Sequence, residues 1–142
     1  MTDVHLQMMK DLSSAFLKGE IEAVAAHFVT PLAVYVGEQL MVLTNAEMLR
    51  STLQSYHAAT TALGVTSASP RMAAVDLPRG RNRSVWVEWT LTDARGKTYQ
   101  GSQTNFILTD PMPRHGPIIE MVTYSRVAFP DLVGALPFAD QA

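Results

Sequence analysis

The sequence predicts one α+β domain, residues 1–142, in which three helices cover one face of a curved antiparallel sheet. Three observations carry that prediction. Up to Gly64 most apolar residues recur at three- and four-residue spacing, whereas beyond it they alternate with polar ones. Helices gathered ahead of strands make an α+β order. A chain of 142 residues is one domain's worth, and folding should bury roughly 70% of the unfolded chain's surface.

From Val4 to Lys18, Met9, Leu12 and Phe16 share one face with Met8 and Ala15 beside them, an amphipathic helix closed by Gly19. A short second helix is expected from Glu20 to Phe28, burying Ile21, Val24 and Phe28. Thr30-Pro31 should stop it, because proline pushes the preceding residue out of helical geometry. Leu32 to Val36 and Gln39 to Leu43 then form a hairpin around Gly37-Glu38. Thr44 followed by Glu47 has the form of a capping box. It opens a third helix to Leu63, striped by Leu49, Leu53, Tyr56, Thr60 and Leu63 and closed by Gly64.

The remainder reads as strands. Val65 to Leu77 is long but contains Ser69-Pro70, so a bulge or an edge position is expected there. Pro78 to Asn82 is a loop leading into the hairpin that organises the sheet, Ser84 to Thr92 and Thr98 to Leu108. Val85, Val87, Trp89 and Leu91 alternate with Trp86, Glu88, Thr90 and Thr92, so the first set is the core face. Register decides what the partner strand adds, since a slip of one residue turns every side chain over. An even loop sends in Ser102, Thr104, Phe106 and Leu108; an odd one sends in Tyr99, Gln103 and Asn105. Gly96 tolerates positive φ at the end of the loop and favours the even reading, which leaves Glu88 outside the core. Residues 110–117 form a proline-rich loop, and the last strand runs from Ile118 to Val127. Its charged set, Glu120 and Arg126 with Tyr124, is expected outside, leaving Ile119, Met121 and Thr123 inside. The tail from Pro130 to Phe138 is too apolar to be idle; it either closes the pocket mouth, docks on a second subunit or packs as a terminal turn.

Composition narrows function by exclusion. A net charge of −2 gives no global attraction to nucleic acid. Without cysteine there is no disulfide, thiolate metal site or cysteine nucleophile, which suits a reducing, cytoplasmic setting. The first residues show no signal peptide, and no apolar run would span a bilayer. Glycine-rich nucleotide motifs and metal-ligand histidine spacings are absent, so neither cofactor nor metal is expected.

The chain resembles the nuclear transport factor two-like superfamily, which includes SnoaL-like polyketide cyclases and ketosteroid isomerases. The resemblance rests on residues 16–24 followed by His27-Phe28, on Val34-Tyr35-Val36, and on residues 45–49 opening the long helix. Residues 93–96 between paired strands and Ile118-Ile119-Glu120 complete it. It implies a cone-shaped half barrel of mixed sheet, with an apolar pocket between sheet and helices and frequent dimerisation through the outer sheet face. No particular reaction follows, because many activities share this fold. The acidic base of ketosteroid isomerase-like members has no counterpart in residues 31–36, and the expected inward strand positions carry none of the acid–base residues of SnoaL-like cyclases.

The candidate ligand-binding residues are accordingly Trp89, Thr104, Phe106, Met121 and Thr123 on strands, with Tyr35, Tyr56, His27 and His57 as polar groups near the pocket. Either histidine could serve as a general base near neutral pH; the plainer reading is a helix histidine at the core boundary, satisfied by a backbone carbonyl. Glu88 beside Trp86 and Trp89 invites a reading as a carboxylate raised in pKa. The plainer alternative places Trp86, Glu88, Gln103, Glu120, Tyr124 and Arg126 on the outer face, as ion pairs and aromatics of a homodimer interface. Arg71, Arg79, Arg81 and Arg83 read as a solvated loop rather than an anion site. Three functions follow: a pocket protein for a small apolar or carbonyl-bearing molecule, an isomerase, cyclase or dehydratase with a histidine base, and a dimeric interaction module.

Overall fold

The computed structural model describes residues 4–77, 79–109 and 118–126, without the side chains of residues 99–101 and 126. The 110–117 loop, the tail from 130 to 138, Val127 and the side chain of Arg126 therefore lie outside the described residues. The element order is α1 (Val4–Leu17), α2 (Ile21–Ala25), β1 (Phe28–Val36), β2 (Gln39–Leu43), α3 (Ala46–Ala62), β3 (Val65–Val75), β4 (Asn82–Asp93), β5 (Thr98–Thr109) and β6 (Ile118–Arg126). The strands form an open mixed sheet in the order β2-β1-β6-β5-β4-β3. β1 runs parallel to β6, and every other pair is antiparallel. Three helices on a curved, unclosed sheet make an α+β half barrel.

The core lies between the two layers. Met9 of α1 and Val24 of α2 meet Leu32, Leu43, Val85, Val87 and Ile119 of the sheet, all at most 2% exposed. Each such side chain contributes about 1.5–3 kcal/mol by leaving water. The sheet and the helices therefore hold one another in place.

Three local expectations change. The second helix ends at Ala25, and Phe28 already belongs to a strand paired with Ile119. β-branched Val29 and Thr30, the latter held extended by the following proline, favour strand over helix. Pairing of β1 with β6 lapses between Phe28 and Ala33, around Pro31, which has no amide to donate. The third helix is capped by Asn45, not Thr44: the Asn45 backbone is extended and its side chain accepts the Met48 amide at 2.9 Å. Leu63, placed on the apolar stripe, is the residue after the last helical one and is 58% exposed. At Ser69-Pro70 the edge alternative holds: β3 is the sheet edge and Pro70 stays paired with Trp89, while the irregularities of its pairing fall at Val65/Ser67 and Met72/Ala74.

The hairpin register is more instructive. At the turn Thr92 faces Thr98, and the Asp93 amide donates to the Lys97 carbonyl at 3.0 Å across Gly96, whose φ is +83°. That is the odd register. Between Glu88–Gln103 and Thr90–Gln100, however, β4 advances two residues and β5 three. The bulge restores the even register beyond it, where Val85 faces Phe106 and Val87 faces Thr104. Ser102, Thr104, Phe106 and Leu108 are buried as expected.

A second bulge overturns the reading of β6. Leu108 pairs with Ile119 but Ile107 pairs with Met121, so one extra residue, at Glu120, enters β6 and reverses its alternation. Ile119 and Val122 are both buried, and Tyr124 packs against the core instead of facing outward. Met121 and Thr123 are thereby displaced from the inward face.

Candidate functional site

Between the helices and the sheet lies a cavity of about 180 Å³. Helix α3 supplies Leu49, Thr52, Leu53, Tyr56 and Thr60, a set spaced three and four apart on a single face. Helix α1 adds Leu12, Ser13 and Phe16, and the Phe16 ring packs on Tyr56 with centroids 5.4 Å apart. The sheet closes the other side with Val34, Met41, Trp89, Phe106, Val122 and Tyr124 among others. Nearly all of this surface is hydrocarbon.

The polar groups on the wall are neutral. Tyr56 Oη and Ser102 Oγ lie 3.3 Å apart, and Trp89 Nε1 donates to Thr104 Oγ1 at 3.1 Å. Ser13 and Thr60 spend their hydroxyls on backbone carbonyls, Ala68 and Tyr56 respectively. Burial pushes the Tyr56 phenol above its usual range, and the Ser102 contact offsets this only in part. Tyr124 is pushed up further, first by burial and then by the neighbouring Tyr56 phenol. Both phenols are protonated at neutral pH. Among the described lining residues there is no Asp, Glu, His, Lys or Arg. The described residues bring no three His, Asp or Glu side chains together as a metal-holding group.

Of the residues expected at the pocket, Tyr56, Trp89, Thr104 and Phe106 line the cavity. Tyr35, His27, His57, Met121 and Thr123 do not, each for a local reason. Tyr35 alternates with Val34 and Val36, which both line the cavity, so its side chain takes the opposite face. His27 sits in the turn after α2, where burial lowers its pKa and Asp11 opposes that shift; its carbonyl accepts the Ile119 amide at 2.8 Å. His57 is one residue past Tyr56 on α3, its ring edge-on to Phe16 at 5.6 Å. Instead of a carbonyl partner, its buried Nδ1 has no hydrogen bond among the described residues. Its Nε2 lies 3.2 Å from where a Cβ on Gly19 would sit, so glycine there permits both the tight turn and this packing. Met121 and Thr123 follow from the β6 bulge.

The residues expected on the outer face divide similarly. Trp86 is 38% exposed, and Glu88 is ion-paired with Arg71 while accepting the Gln103 amide at 3.1 Å. Neither Glu88 nor Glu120 borders the cavity. Tyr124 is the exception, because it belongs to the cavity wall. The missed lining residues, Val122 and Tyr124, had one signal in the sequence. Apolar pairs stand on both sides of Glu120, Ile118-Ile119 and Met121-Val122, and such a doublet fits a strand whose alternation is reset.

An open half barrel of mixed sheet, roofed by three helices over an apolar cavity, is a defined architectural class, and solved structures share it. A Shewanella oneidensis protein described as NTF-2 like and of unknown function superposes with a TM-score of 0.64 at 12% identity, covering 83% of this chain and 93% of its own. A domain of unknown function with a cystatin-like fold from Nostoc punctiforme gives 0.64 at 15% identity, covering 94% and 85%. Aln2 from a Streptomyces species gives 0.61 at 16% identity, covering 95% and 98%. The chain has the nuclear transport factor two-like fold. No family model matches the sequence. No curated protein matches it either.

Proposed function

We propose that this chain binds a small, neutral, mostly apolar molecule in the cavity between helices and sheet. The carrying observation is the lining itself: about 180 Å³ bounded by hydrocarbon and neutral hydroxyls, with no charged side chain among the described lining residues. Ligand sites combine such walls with a few placed polar groups. Size sets a scale, since a dry engineered cavity of about 150 Å³ takes up benzene. One or two fused rings fit. Proton abstraction by His27 or His57 has less support, because a base must come within hydrogen-bond reach of its substrate and neither histidine lines the cavity.

Trp89 is a built-in reporter, and Trp86 on the other face can be removed as Trp86→Phe. In that background, one- and two-ring hydrocarbons and ketones should change Trp89 fluorescence saturably. Leu53→Trp, which fills the cavity, should weaken uptake at least about tenfold. No saturable response to any of these compounds would overturn the reading.

The outer sheet face supports a second proposal, self-association of two copies. Its basis is Trp86, an exposed large aromatic beside the Arg71–Glu88–Gln103 cluster. Sedimentation equilibrium should give twice the chain mass, and a monomer at every concentration would remove it.

A further inference from the structure

We infer that the β3–β4 hairpin, residues 75–83, is a docking tip for a negatively charged lipid surface, with Leu77 entering the acyl boundary and the arginines meeting headgroup phosphates. The hairpin is tightly built. Val75 pairs with Val85, and the Asp76 amide donates to the Ser84 carbonyl at 2.9 Å. Arg79 and Asn82 exchange both backbone hydrogen bonds, at 2.7 and 3.0 Å, around Gly80 at φ +64°. A two-residue turn of this kind holds Gly80 and Arg81 outermost. Among the large apolar side chains of the described residues Leu77 is the most exposed, at 87%, and Val75 is 41% exposed. Arg79, Arg81 and Arg83 follow on the same hairpin, and none of them has a carboxylate partner among the described residues. With Asp76 the segment carries a net charge of +2, in a chain whose total is −2. Sequence alone makes these arginines a solvated loop; the exposed hydrocarbon beside them is what the structure adds.

Chemistry separates the possible partners. A stable protein interface takes about 20–30 residues a side, more than this tip offers. A nucleic-acid strand would leave Leu77 and Val75 in water and would find no aromatic ring in the tip to stack on. An anionic bilayer satisfies both kinds of group at once, because exposed hydrocarbon enters the acyl boundary while guanidinium groups meet phosphate. This is contact with a surface and not a span, for no described helix is long and apolar enough to cross a membrane. The remainder of the chain is net negative and is repelled by such a surface, so the basic tip meets it first. The tip is also separate from the cavity. On β4 and β5 the cavity is lined from Phe106, Thr104 and Trp89 toward the 93–97 turn, whereas Val85 and Leu108, nearer the tip, are buried core.

The test is co-sedimentation of the whole chain with vesicles of phosphatidylserine and phosphatidylcholine in equal parts, against vesicles of phosphatidylcholine alone. The chain should bind the first and not the second, and the bound fraction should fall as salt rises. Arg79→Ser with Arg81→Ser should weaken binding at least about tenfold, since each arginine near such a surface contributes about fivefold. Leu77→Ser should weaken it about three- to tenfold. Arg95→Ser with Lys97→Ser removes the same charge from the turn at the opposite end of β4 and should leave binding unchanged. All of these side chains are exposed, so the fold is kept and the urea midpoint should not move. Equal binding to both kinds of vesicle, an equal loss from either pair of charges, no loss with Leu77→Ser, or no binding even at low salt overturns the docking tip. Capture of a single-stranded RNA oligonucleotide that needs Arg79 and Arg81 but not Leu77 overturns it in favour of a nucleic-acid contact.

Discussion

The two faces of the sheet use polar atoms in opposite ways, although consecutive residues of the same strands build both. On the convex side Arg71, Glu88, Gln103 and Ser125 form a continuous chain: Arg71 pairs with Glu88, Gln103 donates to Glu88, and Ser125 donates to Gln103 at 3.0 Å. On the concave side the polar atoms are uncharged and spread over hydrocarbon. Charge on the first face is stabilised by solvent and by neighbours; charge on the second would have neither. The concave side therefore suits the neutral molecule we propose for it, whereas Arg71, Glu88, Gln103 and Ser125 on the convex side are bonded to one another.

The greatest loss should come from putting a charge on each face in turn. Val87 is fully buried on β4, and Thr90, three residues along the same strand, is exposed. Val87→Asp should cost about 3–5 kcal/mol, because an unpaired carboxylate must be desolvated or protonated, and urea unfolding would read it as a collapsed midpoint. Thr90→Asp should cost about 0.5 kcal/mol. Equal costs would show that the two faces do not differ in this way.

A smaller change tests the concave side by pH. Both phenols of the cavity are raised above the usual tyrosine value of 10.0, chiefly by burial. Above pH 10 the unfolded chain loses these protons while the folded one keeps them, so the folded state binds more protons and stability falls as pH rises. The contribution is whole below pH 10 and is lost with increasing pH above it. Tyr124→Phe should flatten that alkaline decline in thermal unfolding, whereas Tyr35→Phe, at a tyrosine outside the cavity lining, serves as the comparison.

What could be read from the sequence depended on where each bulge fell. In β5 the extra residue sits near the turn, beyond the inward run of Ser102, Thr104, Phe106 and Leu108, so alternation assigned that run and Trp89 correctly. In β6 it sits mid-strand at Glu120, and the same reasoning sent Tyr124 outward and Met121 and Thr123 inward. Alternation is a property of regular pairing, and it carries no information about which residue will be left unpaired. The histidines were misplaced for a different reason. Helical spacing puts Tyr56 on the inward stripe, but a neighbouring position is turned by about 100°, so His57 faces Phe16 and Gly19 instead of the cavity. The helices, the hairpins and the fold were legible because long apolar patterns average over such local resets.

The slightest change in stability is expected at Glu88, the centre of the convex cluster. Its side chain is 32% exposed and its Arg71 partner 68% exposed, so water screens the pair and the net gain is about 0–1 kcal/mol. Glu88→Gln keeps the size and the capacity to accept from Gln103 while removing the charge. In the isolated chain the urea midpoint should therefore barely move. Self-association should respond more, because a second copy seated over Trp86 would exclude water from the same cluster and strengthen each electrostatic term within it. Sedimentation equilibrium of the Glu88→Gln protein should then show a changed association constant, accompanied by a weaker salt dependence than the parent's. An unchanged constant would mean that the charged cluster lies outside the contact, and the convex face would be an ordinary solvated surface.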